Sequence, residues 1–144
     1  MITLRPLVRE DASILAELDG GMTFPQALAL LEKPNLEGVM AIAADSAAGF
    51  ILGWVVEGEG EIIQITVDPA YRRQGIGRTL LKTYLNCYCS SGCRLDVAED
   101  NSAAISLYHQ VGFAETGRRR GYYKRQDERV DAILMRLDTP EGDD

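Results

Sequence analysis

The sequence predicts an α/β domain built around a mixed β-sheet. Strand-like apolar runs and amphipathic helical segments alternate in the order β-α-α-β-β-β-α-β-α-β-β, which is typical of such a sheet flanked by helices. The chain has 144 residues, of which 46% are hydrophobic, and this is enough for one core. Because neither a repeat nor a linker interrupts the order, we expect one domain over residues 1–138 and a short acidic tail over residues 139–144.

The first half of the chain predicts four strands and two helices. A strand over residues 2–4 precedes a helix over residues 9–18, which begins with acidic residues. A second helix has Pro25 in its first turn and is stopped by Pro34. Apolar runs then predict strands over residues 39–44, 50–56 and 61–67.

The second half of the chain predicts two helices and three strands. Leucine and tyrosine recur at helical spacing over residues 80–88, and a strand follows over residues 93–97. Asn101 is a candidate N-cap of the next helix, which contains Tyr108, and Gly112 suits its C-terminal cap. Two further strands close the order.

The turn between the third apolar run and the following helix is the most informative segment. Gly75 and Gly77 lack side chains at the start of a helix, so backbone N–H groups can approach an anion there, helped by the helix dipole. This arrangement predicts a site for a phosphorylated ligand. A Walker loop is excluded because no Lys-Ser or Lys-Thr follows, and a dinucleotide fingerprint is excluded because its third small position is Leu80.

Two motifs resemble those of one enzyme family. The pattern R-x-x-G-x-G, formed by Arg72, Gly75 and Gly77, resembles the pyrophosphate loop of the GNAT family of acetyl-CoA-dependent N-acetyltransferases. Residues 95–113 resemble the second acyl-CoA motif of that family, in which a strand is followed by an Asn, a short helix with a Tyr, and Gly-Phe. The resemblance covers residues 2–137. It implies the GNAT fold, a mixed, mostly antiparallel sheet with a splayed parallel strand pair flanked by helices.

The closing strands resemble those of the RimI group, whose members acetylate the N-terminal amine of a ribosomal protein. Residues 119–123 and 131–135 carry this resemblance. RimI-type chains tend to have Trp-Ser after Phe-Pro, where this chain has Gln26 and Ala27, and that departure bears on the acceptor more than on the reaction. The expected acceptor is a protein N-terminal amine. A small-molecule amine, or a non-catalytic acyl-CoA-binding module, are the alternatives.

The resemblance also assigns roles to residues. The backbone of Ile65, Thr66 and Val67 would pair with pantetheine, and the Val67 N–H would stabilise the oxyanion. Asn101 would contact the pantetheine arm, and Tyr108 would protonate the leaving thiolate, although its pattern also fits a core tyrosine. The pyrophosphate would be held by a loop with Arg72 beside it, made of Arg73, Gln74, Gly75, Ile76, Gly77 and Arg78.

The general base stays open between two carboxylates. RimI-type enzymes have a Glu where this chain has Asp96, which is one methylene shorter, so a water could bridge it to the amine. Glu61, at the start of the strand before the loop, is the second candidate. Either must deprotonate an α-amine, which loses its proton near pH ~8 and far more easily than a lysine near ~10.

Composition narrows the partners and the cofactors. A net charge of −7 and a pI near 4.7 disfavour nucleic acid. Positive residues nevertheless cluster in the loop and over residues 118–125. An acidic body with a basic ligand loop suits an anionic cofactor and a cationic co-substrate. The three cysteines and the single histidine, His109, do not form a four-ligand zinc pattern, so reduced thiols and no metal are expected.

The sequence also bears on where the protein is located. The sequence has neither an apolar run long enough to cross a bilayer nor a signal-peptide pattern at its start. We therefore expect a cytoplasmic protein. The sequence leaves its oligomeric state open between a monomer and a homodimer.

Overall fold

The computed structural model describes residues 1–19 and 21–139. Residues 140–144, which make up nearly all of the predicted acidic tail, lie outside the described part. Among the described residues, no helix has the length and apolar character needed to span a membrane.

A seven-stranded sheet forms the centre of the molecule, with its strands in the order β1-β2-β3-β4-β5-β7-β6. All neighbouring strands are antiparallel except β4 and β5, which are parallel. This topology confirms the predicted fold class. The strands are β1 (Ile2–Pro6), β2 (Leu36–Ala43), β3 (Ser46–Val56), β4 (Glu59–Val67), β5 (Gly92–Ala98), β6 (Ala114–Arg125) and β7 (Glu128–Leu137).

Helices cover both faces of the sheet, as predicted. They are α1 (Ala12–Leu18), α2 (Phe24–Leu31), α3 (Ile76–Tyr88) and α4 (Ser102–Val111). The predicted helix over residues 9–18 is regular only from Ala12 onward, and Arg9–Asp11 forms a short 3-10 turn. The Asp11 carboxylate explains the break, because it accepts hydrogen bonds from the Val8 N–H at 2.8 Å and from Arg5.

A capping box begins α2. The Thr23 hydroxyl accepts from the Gln26 N–H at 3.3 Å, and the Gln26 side chain accepts from the Thr23 N–H at 2.9 Å. The residue that departs from the RimI pattern therefore has a local structural role here.

The hairpin between β2 and β3 is tighter than predicted. The predicted strands over residues 39–44 and 50–56 leave residues 45–49 as a loop between them, but β3 already begins at Ser46. Ala44 and Asp45 make the turn with φ of 49° and 66°, as a two-residue hairpin requires. This turn lacks the Asn-Gly or Asp-Gly pair that usually predicts a two-residue hairpin.

Two apolar cores lie on opposite faces of the sheet because strand side chains alternate. Along β3, Ile51 belongs to the core under α3 and α4, while Phe50 and Leu52 belong to the core under α1 and α2. Tyr84 is the largest fully buried side chain of the first core. These cores fix both helical layers against the sheet.

The parallel strands β4 and β5 separate halfway along their length. They pair only from Glu59 with Gly92 to Ile62 with Leu95. Ile63 is an extra residue in β4, because Gly53 pairs with Ile62 and Leu52 with Gln64, and such a bulge bends a strand. A cleft therefore opens at the ends of β4 and β5, where α3 and α4 begin.

Candidate active site

A pocket of about 300 Å³ occupies the cleft between the separated strands. It contains four of the predicted site residues, Ile65, Asp96, Asn101 and Tyr108. Tyr123 of β6 closes the pocket from the side of the closing hairpin. Residues 62–65 and 95–98 of the two strands, with Ala104 of α4, supply the remaining lining.

Tyr108 is 5% exposed, and its ring lies 5.7 Å from the ring of Phe113. Burial raises the pKa of Tyr108 to about 12, with smaller contributions from Cys93 and Tyr123, so the phenol is protonated at neutral pH. Within the described part of the chain, no buried side-chain oxygen or nitrogen lacks a hydrogen-bond partner. The Tyr108 hydroxyl has no hydrogen-bond partner among the described residues, so it is not fully buried. Because Tyr108 lines the pocket, we infer that this hydroxyl faces it.

Asp96 lies on β5 opposite Leu134, with its side chain exposed. Burial raises the pKa of Tyr123, and the negative charge of Asp96 raises it further. Tyr123 therefore interacts electrostatically with Asp96 and with Tyr108, and all three residues line one pocket.

Glu61 is not part of the lining of this pocket. Its Oε1 lies 3.2 Å from Nη2 of Arg94, the residue that it faces in the parallel register. The structure thus brings Asp96 together with Tyr108 and leaves Glu61 ion-paired on a neighbouring surface.

A second pocket, also of about 300 Å³, lies at the glycine turn. Five predicted loop residues line it, namely Arg72, Arg73, Gly75, Ile76 and Gly77. Gln74 and Arg78, predicted to bind the same group, are exposed and are not part of this lining. Ala104 lines both pockets, so one groove connects the turn with Tyr108.

The turn is open to an anion. Gly75 is the N-cap of α3 with φ 78°, no side chain caps the helix, and a Cβ on Gly75 would meet nothing within 4 Å. The first N–H groups of a helix have no partner within the helix and carry its positive dipole end. Arg73 has a φ of 65°, a left-handed conformation that is costly for a residue with a Cβ and often marks a functional site.

The open edge of β4 presents backbone groups to the groove. The Asp68 N–H donates to the Ala48 carbonyl of β3 at 2.8 Å. Because N–H directions alternate along a strand, the N–H groups of Ile65 and Val67 point away from β3, toward the cleft. Ile65 lines the Tyr108 pocket, whereas Val67 lines the pocket at the turn.

Two other predicted residues have local hydrogen bonds. The Asn101 side-chain oxygen accepts from the Ala104 N–H at 3.2 Å and caps α4, which leaves its amide nitrogen for the pocket. The Thr66 hydroxyl accepts from Gln64 at 3.2 Å, and Thr66 is absent from the lining of both pockets.

The predicted basic cluster over residues 118–125 is partly neutralised. Arg118 pairs with Glu99, Asp131 and Glu115, and Arg125 pairs with Asp100. Among the described residues, no cluster of histidine, cysteine and carboxylate side chains is arranged to hold a metal ion. Cys89 and Cys93 are buried free thiols, and Cys87 is an exposed one.

That Tyr123 lines the pocket was not predicted from the sequence. The pair Tyr122-Tyr123 was a visible signal, but the bulge in β6 that precedes Tyr123 decides which of the two rings faces inward.

The fold and the groove together define an acyltransferase-like α/β protein: a mixed sheet with a splayed parallel pair, and a glycine turn at the start of the helix that follows β4. A family model described as the acetyltransferase (GNAT) family matches residues 7–113, well over half of the chain. The chain belongs to the GNAT acetyltransferase family.

Relatives extend the likeness to most of the chain. It is 36% identical to the N-alpha-acetyltransferase RimI of Mycobacterium tuberculosis, over 96% of this chain and 93% of that protein. It is 43% identical over 93 residues to the [ribosomal protein bS18]-alanine N-acetyltransferase of Escherichia coli K12. That match covers 62% of this chain and 63% of the relative, so the chain spans less than two thirds of this relative's length.

Solved structures agree with the fold. The crystal structure of the ribosomal-protein-S18-alanine N-acetyltransferase from Escherichia coli has a TM-score of 0.88 at 28% identity, covering 100% of this chain and 98% of that one. Arabidopsis thaliana NAA60 in complex with acetyl-CoA has a TM-score of 0.83 at 17% identity, covering 95% and 98%. The second likeness concerns the fold alone.

Proposed function

We propose that this protein transfers the acetyl group of acetyl-CoA to the N-terminal α-amine of a protein, and that its acceptor is a ribosomal protein. The main observation in support is the groove that joins the uncapped turn before α3 to the pocket lined by Asp96 and Tyr108. The names of the Mycobacterium tuberculosis and Escherichia coli relatives support the choice of acceptor.

In this proposal, acetyl-CoA occupies the groove from end to end. Arg72, Arg73 and the free N–H groups at the start of α3 hold the pyrophosphate, because they supply charge and hydrogen-bond donors together. Gln74 and Arg78 are exposed at the same turn, and in this proposal they contact the phosphates from outside the pocket. The pantetheine arm follows the open edge of β4 past Asn101, and the thioester reaches the pocket of Tyr108.

The reaction proceeds by direct attack in a ternary complex. The acceptor amine loses its proton to Asp96, directly or through a water, and forms the new N–C bond. The Ile65 N–H stabilises the oxyanion of the tetrahedral intermediate. When the C–S bond breaks, the thiolate takes the proton of the Tyr108 phenol, which burial keeps un-ionised.

Ile65 replaces Val67 in this proposal for a geometric reason. The N–H groups of both residues face the cleft, but only Ile65 lines the pocket that contains Tyr108 and Asp96. Val67 lies nearer the turn, and its carbonyl accepts a hydrogen bond from Arg72 at 3.4 Å. The Val67 N–H is thus better placed for the pantetheine arm.

The test is an acceptor panel. The protein is incubated with acetyl-CoA and either ribosomal N-terminal peptides, unrelated N-terminal peptides, or small amines such as polyamines and amino acids. Mass spectrometry then locates the acetyl group. We expect transfer to the α-amine of peptides, fastest with a ribosomal sequence. Transfer to small amines alone would show that the acceptor is a small molecule and not a protein N-terminus. CoA binding without any transfer would indicate a binding module. The cytoplasmic location and a monomeric or homodimeric state stay predictions.

A further inference from the structure

The edge strand β6 contains a three-residue bulge beside the pocket. Arg119 pairs with Ala132 and Tyr123 with Val130, so residues 120–122 all stand opposite Asp131 alone. Tyr123, the first residue after the bulge, lines the pocket that contains Asp96. The geometry of the bulge therefore sets the position of Tyr123.

The Asp131 side chain holds the middle of this bulge. Its Oδ1 accepts a hydrogen bond from the Gly121 N–H at 2.8 Å, and its Oδ2 accepts one from Arg118 at 3.3 Å. These contacts, chiefly the bond from Gly121, lower the pKa of the Asp131 carboxyl. Gly121 has a left-handed φ of 59°, and its carbonyl accepts from Arg129 at 3.0 Å. The N–H and the carbonyl of Gly121 are thereby both held.

The same contacts join the bulge to the strand that carries Asp96. Glu99 follows the end of β5, and its N–H donates to the Asp131 carbonyl at 3.0 Å. The Glu99 carboxylate in turn accepts from Arg118 at 2.9 Å and from the Asp131 N–H at 3.4 Å. Asp96 on β5 and Tyr123 on β6 are thus linked by a short path through Glu99, Arg118 and Asp131.

These ion pairs are too exposed to contribute much to the stability of the fold. The side chains of Arg118 and Glu99 are 45% and 38% exposed, and ion pairs in water contribute little to folding. Five hydrogen bonds nevertheless converge on Asp131 and Gly121, beside a wall of the pocket. Their effect is on the geometry of that wall.

We propose that Asp131 is a positioning residue of the acceptor side of the site: by holding the Gly121 peptide it fixes the β6 bulge and so places Tyr123 across the pocket from Asp96. This inference rests on the proposed acetyl transfer. The expected effect is on binding of the acceptor and not of acetyl-CoA, because the glycine turn proposed to bind acetyl-CoA lies at the other end of the groove.

The test compares four variants with the wild type. Asp131→Ala removes the acceptor of the Gly121 N–H, and Asp131→Ser is too short to reach it. Asp131→Asn keeps an oxygen that can accept from it. Asp127→Asn is the matched control, because it also removes one negative charge, in the hairpin turn, but leaves the bond between Asp131 and Gly121 intact. We expect the first two to raise KM for the acceptor peptide about tenfold, since small misplacements in a site are costly. KM for acetyl-CoA should change little, and the Asn variants should resemble the wild type.

Hydrogen exchange supplies a reading that does not depend on turnover. The Gly121 amide should exchange faster in Asp131→Ala and Asp131→Ser and should stay protected in Asp131→Asn. If alanine prevents folding, the serine variant gives the same readings.

Three outcomes overturn the inference. If a folded Asp131→Ala or Asp131→Ser variant transfers acetyl with an unchanged KM for the acceptor, the inference is wrong, while the proposed function is unaffected. The same holds if KM for the acceptor and KM for acetyl-CoA rise equally, because that result indicates a loss of order throughout the site. Absence of transfer by the wild type overturns the proposed function and this inference with it.

Discussion

Replacement of Tyr108 by Phe separates catalysis from folding. The substitution removes one hydroxyl and leaves the ring packed against Phe113 at 5.7 Å. Because this hydroxyl is not hydrogen-bonded to any of the described residues, no protein partner is left unpaired. We therefore expect the free energy of unfolding to change by less than about 1 kcal/mol, which corresponds to a shift of a few degrees in Tm.

The expected effect on turnover is far larger. Loss of a general acid lowers kcat by ~10²-fold or more, which is about 3 kcal/mol or more in the barrier. Release of the CoA thiol at saturating peptide measures kcat, and calorimetry should show nearly unchanged acetyl-CoA binding. Tyr88→Phe is the matched control, since Tyr88 is a half-buried tyrosine of α3 that lines neither pocket of the groove. Undiminished turnover by the Tyr108 variant would refute its role as the acid.

The raised pKa of Tyr108 also predicts the pH profile. With a pKa of about 12, less than about 1% of the phenol is ionised near pH ~9.5, compared with about a quarter at an ordinary pKa of ~10. We expect kcat/KM to rise as the α-amine deprotonates near pH ~8 and then to stay level. Stability from the neutral phenol is complete below pH ~10 and is lost as the pH rises toward ~12, so the profile is measured below pH ~10. A decline before pH ~9.5 would contradict the burial argument.

Substitutions at the carboxylates, the glycine turn and the cysteines give further checks. Asp96→Asn should lower kcat by ~10²-fold, whereas Glu61→Gln, which breaks an exposed ion pair, should change it little; the reverse order would make Glu61 the base. Gly77→Ala should maintain or raise stability, by up to about 1 kcal/mol, yet weaken acetyl-CoA binding in calorimetry, because its methyl group enters the pocket at the turn; unchanged binding would place the phosphates elsewhere. One thiol, that of Cys87, should react with a thiol reagent before denaturation and three afterwards; a native count of three would contradict the burial of the other two.

The sequence predicted most of the fold because its signals are local. Proline at the start of α2 and the cap residues Asn101 and Gly112 of α4 lie at the predicted ends of their helices. The apolar spacing of α3 places Leu80, Leu81, Tyr84 and Leu85 in the core. The mostly antiparallel pairing and the splayed parallel pair came from the family resemblance, because pairing between distant segments leaves no mark in a local pattern.

Parts of the site were beyond prediction for a physical reason. Which carboxylate enters the pocket depends on the register of β4 and β5 and on where these strands separate, and both are tertiary properties. The inward place of Tyr123 depends on a bulge that shifts the alternation of β6. Asp131 looked like an ordinary strand residue, and its bond to Gly121 is visible only once β6 and β7 are paired.

The splay of the sheet itself explains why a ligand with amide groups suits this cleft. Beyond Ile62 and Leu95, the facing edges of β4 and β5 no longer pair with each other, and unpaired backbone groups away from water are costly. A bound pantetheine arm carries amides that can pair with the N–H and C=O groups along the edge of β4, as an added strand would. The same separation that costs sheet hydrogen bonds thus leaves an open edge of β4, along which the proposed complex would place the thioester beside Tyr108 and Asp96. It follows that a change that closed the splay, such as deletion of the extra residue Ile63, should abolish acetyl-CoA binding in calorimetry even if it raised Tm.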